Sequence, residues 1–160
     1  MRTAPLFIVT SLLAAASAAT PAHAEFETSS SGSACLASGS ASVERRSIGS
    51  FNGTNDAITF LCPATKHYNS NIQSATAVVV DRRTDAEVDC TLFSLTRRGE
   101  TLAFSRRGSG VAFANSTAAV LSFAPLASTR QGVHILRCTV PGRTAANEWS
   151  GVASYSITEE

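Results

Sequence analysis

The sequence predicts an all-β fold, an antiparallel β-sandwich, and three observations predict it. Short stretches alternate apolar and polar residues with the period of two that half-buried strands require, and turn residues punctuate them every eight to twelve positions. Beyond residue 24 no segment carries apolar residues at helical spacing. Cys62, Cys90 and Cys138 stand in phase with the apolar residues of their segments, as core cysteines would. Alternation alone leaves open whether the strand order is immunoglobulin-like or jelly-roll.

Residues 1–24 read as a secretory signal peptide: a basic start at Arg2, an apolar run from Leu6 to Ala19, and Ala22-His23-Ala24 before Glu25 as the cleavage pattern. The run is too short and too alanine-rich for a membrane span, which needs about 20 apolar residues. Residues 25–42, rich in Ser, Gly and Ala, are expected to be a flexible segment tied down only through Cys35. Residues 43–160 then form the sandwich domain, of a length that builds one core.

The element that organises the domain is Gly132 to Gly142. There Val133, Ile135 and Arg137 point one way and His134, Leu136, Cys138 and Val140 the other, until Pro141-Gly142 ends the strand. Upstream, strands are expected at Val43–Phe51 and Ala57–Cys62, joined by a turn at Asn52–Asp56 and stopped by Pro63. Ile72–Asp81 contains the β-branched run Val78-Val79-Val80, and Asp81–Asp85 reads as a turn into Ala86–Thr96. In that strand Val88, Cys90 and Leu92 share one face, while Phe93 and Leu95 on the other imply cover on both sides. Arg97-Arg98-Gly99 and Arg106-Arg107-Gly108 are expected to be turns flanking Thr101–Ser105; further strands follow at Gly110–Ala114, Ala118–Ala124 and Gly151–Thr158.

Four cysteines in an exported chain predict two disulfides. Of the three connectivities, Cys35–Cys62 and Cys90–Cys138 are expected: the first would close a hairpin excursion, the second would join two strands at core-phase positions. No Cys-x-x-Cys and no paired histidines occur, so no zinc site and no cofactor is expected.

Candidate chemistry is sparse. His67 lies in a polar loop beside Tyr68, and His134 lies among apolar residues as a hydrogen-bonded structural histidine would. A Gly-x-Ser-x-Gly nucleophile elbow is absent. Asp81, Asp85, Glu87 and Asp89 cluster near Arg82 and Arg83 without calcium-loop spacing, and read as a charged hairpin end. Arg-Arg pairs begin at 45, 82, 97 and 106; Arg97, Arg98, Arg106 and Arg107 would make an anion-binding patch if both turns lay at one end, against the plainer reading of solubility and edge protection. Trp149 is a possible stacking platform for sugar or a lid on the core edge. A net charge of +1, or zero once Arg2 is removed, argues against nucleic acid.

The segments Phe60-Leu61-Cys62-Pro63, Val80-Asp81-Arg82, Val88-Asp89-Cys90-Thr91-Leu92, Leu136-Arg137-Cys138-Thr139-Val140-Pro141 and Ser154-Tyr155 with Glu159 together resemble a group of small exported bacterial proteins of unassigned function. That resemblance implies a disulfide-bonded secreted β-domain and no activity. The function expected is therefore that of a non-enzymatic β-sandwich, secreted or periplasmic, with a binding or structural role and a glycan or anionic surface component as partner. The alternatives are a small hydrolase of glycans or cell-wall material using Asp81, Asp89 or His67, and an adhesin or pilus-like subunit completed by a partner's strand.

Overall fold

The computed structural model describes residues 26–39, 42–66, 71–110, 118–145 and 149–160. The signal peptide expected at 1–24, His67 and Tyr68, and the strand expected at 110–114 beyond its first residue lie outside them. Eleven strands are present among the described residues: β1 (Phe26–Ser31), β2 (Leu36–Ala37), β3 (Val43–Arg46), β4 (Gly49–Asn52), β5 (Ile58–Ala64), β6 (Ile72–Val80), β7 (Asp89–Leu95), β8 (Thr101–Gly108), β9 (Ala119–Phe123), β10 (Val133–Val140) and β11 (Gly151–Glu159). They form two antiparallel sheets. One has the order β3-β4-β11-β6-β9, with β1 also paired to β11; the other has the order β2-β5-β10-β7-β8.

β10 is the centre of the five-stranded sheet, paired with β5 on one side and β7 on the other. Its inward residues His134, Leu136, Cys138 and Val140 are all buried, as the alternation predicts. Leu136 faces Cys62 and Leu92 across the ladders, and Cys138 faces Phe60 and Cys90. The opposing sheet closes the core with Ala75, Ala77 and Val79 of β6 and Val152, Tyr155 and Ile157 of β11. Small residues on β6 let bulkier groups from the other sheet, such as Phe60 and Leu92, fill the space between the layers. The Tyr155 hydroxyl reaches across to donate to the Pro63 carbonyl at 2.5 Å.

Both disulfides join the expected partners. Cys90–Cys138 links residues directly opposite on β7 and β10, and Cys35–Cys62 ties the segment before β2 to β5, each with Cα atoms 4.0 Å apart. The loops they close, 27 and 48 residues apart in sequence, correspond to roughly 3 to 4 kcal/mol each on the chain-entropy estimate.

Several local expectations are corrected. Residues 26–31 are strand rather than loose chain: β1 pairs with β11 along its whole length, from Phe26 opposite Glu159 to Ser31 opposite Ser154. Backbone pairing needs no apolar side chains, so a Ser-rich segment serves at the margin of a sheet whose core is supplied by others. The stretch Val43–Phe51 is a hairpin, turning at Ser47-Ile48, because Gly49 takes φ 140° and sits where a Cβ would lie 2.2 Å from the Val152 carbonyl oxygen. Pro63 does not end β5, which runs to Ala64; β2 pairs only as far as Leu61, so that edge demands no amide from Pro63.

Two supposed hairpin turns are crossovers between sheets. At Asn52–Asp56 the chain passes from β4 to β5, and at 81–88 from β6 to β7. Each is built on a buried polar side chain. Asn52 accepts from the Thr54 amide at 2.8 Å and its Nδ2 donates to the carbonyls of Asp56, Val140 and Pro141. Asp81, 2 % exposed, accepts from the amides of Arg83 and Val88 at 3.1 Å each and from the hydroxyls of Ser150 and Ser109. It is a structural hub and not the solvated acid expected at a hairpin end.

Asp81→Ala leaves the buried hydroxyls of Ser109 and Ser150 and the Arg83 amide short of an acceptor, and is expected to lower unfolding stability by about 2 to 4 kcal/mol. Urea denaturation of the oxidised protein measures it; a midpoint unchanged from the parent would contradict this role.

Candidate functional site

The outward residues of the five-stranded sheet line up in rungs, because each register pair shares a face. Leu36, Leu61, Arg137, Thr91 and Arg106 form one; Pro63, Ile135, Phe93 and Phe104 form the next; Thr59, Thr139 and Asp89 form a third. A surface depression of about 380 Å³ lies across β10, β7 and β8 and is lined by Asp89, Thr91, Phe93, Phe104, Arg106, Arg137 and Thr139.

Its floor is aromatic and its walls are polar. The Phe93 and Phe104 rings lie 6.2 Å apart and tilted by 36°, and Phe104 is 63 % exposed. The Arg137 guanidinium stacks over Phe93 at 4.8 Å from its centroid, which leaves its N–H edges to point sideways along the surface. Arg106 grips Asp89 through Nε at 2.8 Å to both carboxylate oxygens and through Nη2. Leu36 and Leu61 extend the apolar surface, 56 % and 39 % exposed. Such a surface offers C–H-binding rings flanked by charged donors and hydroxyls, the pairing of functions that a sugar ring presents in complement.

The cover expected over Phe93 and Leu95 is thus not a third layer: Phe93 is shielded by Arg137 and Phe104 and faces the surface. Phe93 and Arg137 were legible only by the phase of their strands and Phe104 only as part of a short strand; what singles them out is adjacency across three strands, which no sequence window contains.

The other candidates are dispersed. Arg106 and Arg107 lie within β8, opposite Thr91 and Cys90, whereas Arg97 and Arg98 occupy the β7–β8 turn. At about 3.3 Å per residue the two pairs are roughly 20 Å apart along the hairpin, so the four arginines do not form one patch. Arg107 instead donates to the Ser122 carbonyl on β9, and the Ser105 hydroxyl accepts from the Ala124 amide, so β8 side chains occupy backbone groups along β9. Arg97 bonds Gln131, and with Thr96, Arg98 and Glu100 these two line a second, shallow depression. Trp149 packs edge-on against Phe51, and Arg46 and Arg82 each place a guanidinium 4.5 Å from its centroid, so arginines occupy the platform a sugar would use.

Asp81 and Asp89 are both engaged, the first by four hydrogen-bond donors and the second by Arg106, which leaves neither as a free acid for the hydrolase alternative. No group of three or more metal-ligating side chains occurs among the described residues, and no helix among them is long and apolar enough to cross a membrane.

His134 is buried between the sheets, with Nε2 3.0 Å from the Ser128 hydroxyl and Nδ1 3.1 Å from Glu159 Oε1. Burial lowers its pKa, Glu159 opposes that, and the nearby Lys66 ammonium adds to it.

No family model matches the chain, and no curated protein matches it in sequence. Its fold is similar to three solved carbohydrate-binding modules. The C-terminal CBM6 of LamC, a marine laminarinase from Zobellia galactanivorans, is 13% identical with a TM-score of 0.56, covering 83% of this chain and 99% of that one. The xylan-binding module CBM15 is 12% identical with a TM-score of 0.55, covering 85% and 97%. The CBM36-1 domain of a multidomain xylanase from the hindgut metagenome of Trinervitermes trinervoides is 14% identical with a TM-score of 0.50, covering 82% and 96%. At these identities the likeness is one of fold.

The buried imidazole carries a pH dependence. A free histidine protonates near pH 6.5, whereas the folded chain holds His134 neutral to lower pH, so the unfolded state takes up the proton first. Stability is therefore expected to be fully present above about pH 6.5 and to fall as the pH drops below it. Urea midpoints between about pH 5 and 7 check this, and His134→Gln should flatten the slope.

Proposed function

We propose that this chain is an exported glycan-binding module that holds its ligand on the outer face of the five-stranded sheet. The observation that carries the reading is the depression floored by the exposed Phe104 ring beside Phe93, which Arg137 covers, and walled by Arg106, Asp89 and two threonines. A solvent-facing phenylalanine costs solubility and adds nothing to the core, so its placement beside oriented charges fits a surface that a ligand covers. Aromatic rings accept the C–H faces of a pyranose, while guanidinium, carboxylate and hydroxyl groups bond its hydroxyls.

The sandwich shared with carbohydrate-binding modules supports the same reading, as do two disulfides, which belong to an oxidising compartment, secreted or periplasmic. Specificity would come from the polar rungs, since stacking discriminates weakly among sugars.

Titration of the mature protein against soluble laminarin, xylan, glucan and cell-wall glycans should yield binding to at least one. Phe104→Ala and Arg137→Ala should each weaken that affinity about tenfold or more, equivalent to roughly 1.4 kcal/mol, without moving the melting temperature. Binding that survives both substitutions, or no binding to any glycan class, would rule out this face as the site.

A further inference from the structure

On the inward side of β10, away from the ligand face, lies a second cluster that the glycan reading leaves unused. We propose that Ser128, His134 and Glu159 form a nucleophile–base–carboxylate relay that hydrolyses small acyl esters.

The three residues come from separate parts of the fold: Ser128 from the loop between β9 and β10, His134 from β10 of one sheet and Glu159 from β11 of the other. The serine hydroxyl is hydrogen-bonded to Nε2 at 3.0 Å, and Oε1 of Glu159 approaches Nδ1 to 3.1 Å without hydrogen-bond geometry, so one imidazole lies between an alcohol and a carboxylate that acts on it by charge. The carboxylate favours the tautomer with hydrogen on Nδ1, leaving Nε2 as the acceptor for the serine proton.

The loop is held in place. The Ser128 amide donates to Asn71 Oδ1 at 3.0 Å, Leu126 bridges to Ile72, and the Gly132 amide donates to Thr129. Lys66, the single lysine of the sequence, donates to Ser128 Oγ at 2.6 Å and to the Thr129 carbonyl. It thus places an ammonium beside the nucleophile oxygen, next to where an adduct on Ser128 would form. His134 is fully buried and its burial keeps it neutral, the form in which it can accept a proton.

The chemistry balances with water as the only co-reactant. Ser128 Oγ bonds to the acyl carbon as its proton passes to Nε2; the tetrahedral adduct then collapses, breaking the C–O bond to the alcohol, which leaves with the proton from Nε2. Water attacks the acyl-serine by the same route, releasing the carboxylic acid and restoring the hydroxyl. Ser128 is partly buried, so the acyl group must be small.

Ser128 and His134 are the catalytic residues; Glu159 is a positioning residue. The test incubates the oxidised full chain with a fluorophosphonate probe and with p-nitrophenyl acetate, followed by intact mass and peptide mapping. One adduct on Ser128 is expected, together with nitrophenol release that falls about a hundredfold or more in Ser128→Ala and in His134→Gln. Ser128→Ala changes a loop residue, and an unchanged melting temperature establishes that the loss is not unfolding. Glu159→Gln should shift the acid limb of the pH–rate profile to lower pH, because the carboxylate no longer raises the imidazole's proton affinity. No adduct at Ser128, acylation confined to Lys66, or labelling that persists in Ser128→Ala would each overturn the proposal.

Discussion

The double pairing of β10 is the constraint on which the rest of the structure depends. Bonded to β5 on one side and β7 on the other, it cannot slip by one residue without sending Leu136, Cys138 and Val140 to solvent and Arg137 into the core. The Cys90–Cys138 bond joins residues that face each other in that ladder, and so makes the register covalent. With the register set, the outward residues of five strands fall into rungs without further specification. The outer face that carries Phe104, Phe93 and Arg137 is a consequence of how the core is packed.

The same strand carries two kinds of polar chemistry on its two faces. Outward, Arg137 lies against Phe93 at the surface; inward, His134 lies between Ser128 and Glu159 in the space between the sheets. A buried histidine needs partners for both ring nitrogens. Here Nε2 meets the Ser128 hydroxyl of a loop, while Nδ1 has the close approach of Glu159 from the opposing sheet without hydrogen-bond geometry.

Asn52 and Asp81 play the corresponding part at the crossovers. Strands that change sheets leave backbone amides and carbonyls outside either ladder, and a buried amide or carboxylate side chain is a compact way to satisfy several at once. Their polarity made both look like surface turn residues. The same ambiguity affected Arg107: a charged residue before a glycine reads as a turn, yet in β8 its guanidinium occupies a β9 carbonyl, in keeping with the edge-protecting role weighed for these arginines.

By itself the sequence determined the all-β class and the phase of the central strand, and suggested a cysteine pairing, Cys35–Cys62 from a hairpin excursion and Cys90–Cys138 from shared core phase. Those properties are local or nearly so: period-two alternation is written in adjacent residues, and inward phase restricts which thiols can meet. The tertiary structure decided what depends on contacts between distant segments. Whether Asn52–Asp56 closed a hairpin or crossed between sheets, whether Ser-rich residues 26–31 found a partner in β11, and whether Phe104 met Phe93 and Arg137 all turn on strand order. Alternation says which side of a strand faces inward and nothing about which strand lies beside it, so the neighbours of each side chain are set only when both sheets close on a common core.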